Sequence, residues 1–334
     1  MKKSLVSRLL AILSLALLLW KPDLAFVGAK NGLLLWGLVV LPTLLPFMIC
    51  SQVIVGIQAA PLLVGPLMPF FRWVLGLSKE GGYVLLSGLL CGYPMGAKTC
   101  GEFLRQGKIS KQEADYLLAI SNHPSPMFLL GYVMSQLKLI EGLAHPVSVW
   151  QVLASLYLPV LPLAALARKV YKLQPEETAF SPRPSLHSSK TLLPHSFSFD
   201  KAMMSCVETM VKIGGYIMLF SILAVYIARL PFKNPLIRCS FLGAIEITTG
   251  IQAVASSVKG GLAVLLILAS SSFGGCSGIF QTRSVMNGPW SPEKESNSGV
   301  LNCLSIRHYV LWKLLHTFFT CLCFILSEWT ALLL

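Results

Sequence analysis

The sequence predicts an all-α polytopic membrane protein made of two loosely repeated halves, each with a membrane helix broken by glycine or proline. Three observations lead there. Of 334 residues, 54% are hydrophobic and only 12% charged, with a mean hydropathy of +0.69, whereas a soluble domain carries about 25% charged residues. Apolar runs recur at a length that spans a bilayer, for which about 20 residues suffice. Two of these runs end in clusters of helix breakers: Gly82–Gly96 (GYVLLSGLLCGYPMG) at Gly92, Pro94 and Gly96, and Leu262–Gln281 (LAVLLILASSSFGGCSGIFQ) at Gly274, Gly275 and Gly278. Proline removes a backbone donor and hydrocarbon offers no replacement partner, so such breaks sit inside protein or against a watery cavity. Transporters place their substrates at breaks of this kind, and two in one chain suggest two halves of one site.

The net charge is +13, and the basic residues fall largely in loops between apolar runs. That is a positive-inside signal with affinity for anionic lipid. No aromatic or motif pattern supports nucleic acid as a partner. The nine cysteines are scattered through apolar segments without a Cys-x-x-Cys pair, which argues against a disulfide framework and for small buried hydrophobes. No metal and no cofactor is expected.

Along the chain, Lys2, Lys3 and Arg8 precede the run Leu9–Trp20. Without a convincing small-x-small site, this reads as an uncleaved first helix with a cytoplasmic N-terminus in the cell membrane, cleavage being the alternative. Gly32–Ile57 spans next, with Pro42 and Pro46 implying a kink and Thr43 placed to refill a carbonyl. Pro61–Leu77 contains Pro66, Pro69 and Arg72 and reads as re-entrant or interfacial. After the Gly82–Gly96 break, Lys98–Asp115 reads as a solvated hairpin. Ser110 and Glu113 form a capping box, opening a helix that ends before Pro124, with Asn122 and His123 at its end. Met127–Ile140 and Pro146–Ala167 complete an N-terminal half, residues 1–167. Residues 168–201 are a basic, Pro/Ser-rich linker of cytoplasmic character, and residues 202–334 form the second half.

That half opens with an amphipathic stretch, Phe199–Met210, and an apolar segment, Val211–Leu230. Leu236–Ser257 follows as a membrane segment with Glu246 at its centre. A carboxylate there costs about 2.5–3.5 kcal/mol if lipid-exposed, so it faces protein or water, with Thr248 and Thr249 as partners. A functional acid and a purely structural hydrogen bond both fit. After the second break and the polar loop Thr282–Arg307, the last span covers about Tyr309–Trp329, with Lys313 and His316 on one face; Lys313 reads as snorkelling to the interface.

The run Gly88–Lys98 (GLLCGYPMGAK), with Ile109–Ala114 (ISKQEA) and Ser121–Phe128 (SNHPSPMF), resembles the first half of the YlbJ-type sporulation integral membrane proteins. Gly243–Gly250 (GAIEITTG) and Ser272–Gln281 (SFGGCSGIFQ) resemble the Gate, or nucleoside-recognition, motif of the second half. The resemblance implies a cytoplasmic-membrane protein of an endospore former, acting in spore cortex formation, with a transport role.

Two function classes follow. In the first, a transporter or permease-like protein for a small solute, the broken segments meet, and a binding site draws on Gly92, Pro94, Gly96, Lys98, Asn122, Glu246, Thr249, Gly275, Ser277 and Gln281. In the second, a membrane scaffold recruits sporulation factors through its basic loops. An enzyme is not expected: no His-Glu-x-x-His, Gly-x-Ser-x-Gly or phosphate-loop motif occurs. The partners implied are the lipid bilayer and an unknown small-molecule or ion ligand, with sporulation proteins or a second copy of the chain left open.

Overall fold

The computed structural model describes residues 2–173, 197–286 and 304–333. Among these, all regular structure is helical, and five helices are long and apolar enough to cross a membrane, or six if one bent pair is a single span. The protein is an all-α polytopic membrane protein. Most of the 168–201 linker and of the Thr282–Arg307 loop lies outside the described residues.

Helix α1 is Lys2–Trp20. The next helix, α2, is Pro22–Gly56; it begins ten residues earlier than the hydropathy suggests. Pro22 stands at its first turn, where a missing N–H costs nothing. Residues Trp36–Val40 widen into a π-turn just ahead of Pro42, and Thr43 Oγ1 donates to the Val39 carbonyl at 2.7 Å. Two short pieces follow, α3 (Ala60–Leu75) and α4 (Lys79–Cys91), bent by 99°, which fits a re-entrant path for residues 61–77.

Beyond Cys91 the chain turns over Gly92–Pro94 and comes back as α5 (Met95–Arg105), making a helical hairpin. Then α6 (Lys111–Ile120) gives way to an extended interruption at Ser121–Ser125 before α7 (Pro126–Leu137). Helix α8 is Val149–Val170 and α9 is Phe199–Ala228. The same order then recurs. A hairpin of α10 (Pro235–Ile245) and α11 (Ile247–Ser257) turns at Glu246, and an interrupted helix follows, α12 (Gly260–Phe273) and α13 (Gly275–Met286), broken at Gly274. The last helix, α14, is Ile306–Leu333.

Both hairpins close through glycine. A Cβ on Gly88 would lie 3.0 Å from Gly96 Cα and 1.7 Å from the Ser121 carbonyl oxygen, and one on Gly96 would lie 2.0 Å from that oxygen. In the second hairpin a Cβ on Gly250 would lie 2.1 Å from Gly243 Cα, and one on Gly243 2.4 Å from Ser270 Oγ. Each glycine pair is thus seated on a serine of the interrupted helix that follows it, a small-residue contact of the kind that holds membrane helices together.

Four sequence expectations change. Leu236–Ser257 is a hairpin folded at Glu246 rather than a continuous segment. Phe199–Ala228 is one 30-residue helix, because its polar start is helical too, with Lys212 and Glu208 paired at 2.6 Å one turn apart. The Lys98–Asp115 region is solvated only in part, since Lys98, Thr99 and Cys100 are buried in α5. Only half of the capping box forms: Ser110 Oγ accepts from Glu113 N at 3.1 Å, but the Glu113 carboxylate accepts from Ser78 N at 2.9 Å and so ties α6 to the start of α4.

Candidate functional site

The two hairpin tips and the two helix interruptions meet. At the first tip Gly92 has φ +80°, and a Cβ there would lie 2.7 Å from Ser125 N, so only glycine fits. Tyr93 N donates to the His123 carbonyl at 2.8 Å, fixing the tip to the interruption between α6 and α7. Ser125 Oγ accepts from Phe128 N at 3.2 Å and starts α7.

At the second tip the chain stops being helical without glycine or proline. Glu246 is extended (φ −139°, ψ 119°) and acts as the N-cap of α11. Its Oε2 accepts three hydrogen bonds: from Thr248 Oγ1 at 2.5 Å, Thr249 N at 2.8 Å and Thr249 Oγ1 at 2.8 Å. Oε1 receives none of them. An anionic group at a helix N-terminus also complements the helix dipole. Nearby, Gly275 sits against the Ile245 and Gly243 carbonyls, and Tyr132 OH donates to the Thr248 carbonyl at 2.8 Å.

Between these parts lies a cavity of about 50 Å³. Its wall takes Thr43 and Leu44 from the proline-kinked part of α2, Gly92 and Tyr93 from the first tip, and Pro124 and Ser125 from the first interruption. Glu246, Ile247 and Thr248 come from the second tip, and Gln281 from α13. A water needs roughly 10–15 Å³ by this measure, so the space holds a few waters or a small ion. Drug-sized ligands occupy pockets of roughly 300–1,000 Å³. Among the lining residues Glu246 alone carries a charge; it is 1% exposed and has no Lys, Arg or His within 4.0 Å among the described residues. Gln281 Nε2 donates to Ser277 Oγ at 2.9 Å, which leaves its carbonyl oxygen for the cavity. The wall is otherwise largely apolar, with Leu35, Val40, Leu44, Phe128, Ile217 and Ile247, so its few acceptors, the Glu246 carboxylate foremost, suit a small cation or a solute that donates hydrogen bonds.

Of the residues singled out from sequence, Gly92, Glu246 and Gln281 line this cavity. Thr249 and Ser277 hold Glu246 and Gln281 in place, while Pro94, Gly96 and Gly275 shape the tips. Lys98 and Asn122 lie apart from it. Lys98 Nζ turns toward α9, 3.0 Å from Thr209 Oγ1 and 4.0 Å from Glu102 Oε1. Asn122 is 1% exposed; its Nδ2 donates to Tyr309 OH at 2.7 Å and Thr282 Oγ1 at 3.1 Å, binding α14 and α13 to the first interruption. Thr43, Tyr93, Ser125 and Thr248 also line the cavity and are not among the site residues the sequence suggests, although Thr43 and Ser125 stand beside prolines that signal a break. Lys313 does not snorkel: it is 2% exposed, with Nζ donating to the Asn122 carbonyl at 3.1 Å, because the carbonyl end of α6 offers it a partner in the interior.

Among known proteins, the chain is similar to the sporulation integral membrane protein YlbJ of Bacillus subtilis (strain 168), 31% identical over 214 residues, 60% of this chain and 51% of the relative. The chain thus spans about half the length of that curated relative. No family model matches the chain, and no solved structure matches it.

Proposed function

We propose that this protein is a membrane transporter or permease-like protein for a small solute, bound at Glu246. The observation that carries the reading is the convergence of both hairpin tips and an interrupted helix on a cavity whose one charge is a carboxylate without a cation partner. Irregular backbone inside a membrane protein is tolerated where it lines such a cavity, and an intramembrane acid marks a solute or ion pathway. The solute class that fits is a small cation, or a small polar molecule presenting an ammonium or hydroxyl. A nucleoside exceeds a space of about 50 Å³ and needs the tips to part. The relative's name ties that protein to sporulation; carried over to this chain, the transport step serves spore formation in the cytoplasmic membrane.

The test is Glu246→Gln. Glutamine keeps a carbonyl oxygen for the three threonine bonds, so the hairpin keeps its cap while the charge is lost. Purified protein is titrated with sodium, potassium, ammonium and methylammonium salts by calorimetry, with uptake into proteoliposomes measured in parallel. Loss of binding and uptake in the variant, with membrane insertion and melting temperature unchanged, is the expected result. Unaltered binding in Glu246→Gln removes the assigned role.

A further inference from the structure

One aromatic ring separates the cavity from a second buried charge. Lys313 Nζ stands 5.6 Å from the centroid of Tyr93, whose side chain lines the cavity that Glu246 also lines. The ammonium is 2% exposed, makes one hydrogen bond, to the Asn122 carbonyl, and has no carboxylate within 4.0 Å among the described residues. The titratable groups around it are few. Tyr93 faces it from the first hairpin tip. Tyr309 and His316 lie on its own helix, and His123 lies in the first interruption, its ring centroid 4.5 Å from that of His316. None of these is a carboxylate.

The two imidazoles are set up alike. His123 Nε2 lies 2.6 Å from the Ile120 carbonyl and His316 Nε2 lies 2.9 Å from the Leu156 carbonyl. A carbonyl only accepts, so each Nε2 carries the hydrogen. Both Nδ1 atoms are buried, in rings 1% and 0% exposed; neither makes a well-formed hydrogen bond, and the Ser272 backbone also approaches the His316 ring.

Charge conservation in the buried region links the two sites. With the cavity empty of cations, the Glu246 carboxylate and the Lys313 ammonium cancel. A monovalent cation bound at Glu246 adds a positive charge that an apolar interior disfavours, unless Lys313 gives up its proton. Balance is then restored: R–NH3+ becomes R–NH2, the proton leaves to solvent, and the carboxylate keeps one cation as its counter-charge. Resting on Glu246 as the solute site, we infer that Lys313 is a proton-binding site whose occupancy alternates with that of a monovalent cation at Glu246, so that the protein exchanges cation for proton. Linkage makes the effect mutual: each ligand weakens the other by the same factor.

The experiment adds sodium, potassium, ammonium or methylammonium chloride to the purified full chain in weakly buffered detergent with a pH dye. Proton release is read alongside cation affinity by calorimetry across a range of pH. At pH below the midpoint of the proton site the wild type is expected to release close to one proton per chain at saturation. Its affinity is expected to fall about tenfold for each unit of pH below the midpoint of the proton site, the limit for one proton exchanged per cation. Lys313→Met binds the cation with pH-independent affinity and releases no proton. If that variant does not fold, Lys313→Arg, which keeps the charge and a donor to the Asn122 carbonyl but does not deprotonate, is expected to release none and to bind weakly at every pH. Cation binding that needs Glu246 yet releases no proton from the wild type, or release that persists in the lysine variants, overturns this inference and leaves the transport reading standing. Cation binding unchanged in Glu246→Gln overturns the transport reading and this inference with it, as does a wild type that binds none of the four cations.

Discussion

Replacing Gly250 by alanine tests how the second hairpin is held. The added Cβ would lie 2.1 Å from Gly243 Cα, 2.4 Å from Gly243 N and 3.0 Å from the Leu242 carbonyl carbon, where ordinary contact begins near 3.4 Å. All three are backbone atoms, so no rotamer change relieves the clash, and α10 and α11 must part by roughly 1 Å. Overpacking of this kind costs about 1–3 kcal/mol, against which alanine returns up to about 1 kcal/mol of helix propensity. Gly215, inside α9, has nothing within 4 Å of a built Cβ, so Gly215→Ala collects the propensity term alone. Thermal unfolding in detergent is therefore expected to move in opposite directions, down for Gly250→Ala and up or level for Gly215→Ala. Because Glu246 sits at the tip between those glycines, solute binding should weaken in the first variant and hold in the second. Equal melting temperatures for the two would refute the close approach of the helices, and with it the placement of Glu246.

Asn122→Ala removes the side chain that joins the first interruption to α13 and α14. It leaves Tyr309 OH and Thr282 Oγ1 with only their mutual 3.4 Å hydrogen bond and takes the acceptor from Ala97 N; a buried polar group left unpaired costs about 1–3 kcal/mol, so the variant is expected to lower the unfolding midpoint more than Thr43→Val does. At the surface, Lys259 holds the Glu141 carboxyl below the ordinary range, first through their 2.6 Å hydrogen bond and then through its charge. A depressed folded value means that this contribution is present above the unfolded pKa and is lost as pH falls through the folded one. Glu141→Gln should flatten the acid side of the stability profile slightly, and high salt should erase the difference, since both side chains are 74% exposed.

The sequence disclosed the membrane class and the first tip because both rest on local chemistry. Apolar length is additive along the chain, and Gly92 with Pro94 interrupts a helix wherever it occurs. The second tip was hidden by the reverse situation. Ile245-Glu246-Ile247 contains no breaker, and the helix ends there because one carboxylate oxygen takes the free N–H of Thr249 and two threonine hydroxyls, an arrangement visible only once the chain has turned. Gly243 and Gly250 were legible as small residues but not as each other's neighbours. The direction of a long side chain is equally non-local: Lys313 reads as an interfacial lysine until the open carbonyl at Asn122, 191 positions away in sequence, is brought to it. Lys98 is the mirror case: it follows the Gly92–Gly96 break directly in sequence, and Thr209 on α9 draws it away.

The claim that both tips meet in a cavity whose charge is the Glu246 carboxylate is tested most directly by thiol reactivity. With the nine native cysteines replaced, single cysteines are placed at Thr43 and Gln281, which line the cavity, and at Leu38, which is 73% exposed on the outer face of α2. Small cationic and anionic methanethiosulfonates are then compared by rate in intact membranes. The expected result is reaction at 43 and 281 with the cationic reagent ahead, a preference abolished by Glu246→Gln, and little reaction from the lipid-facing position 38. Silence at 43 and 281, or rates there indifferent to reagent charge, would contradict it.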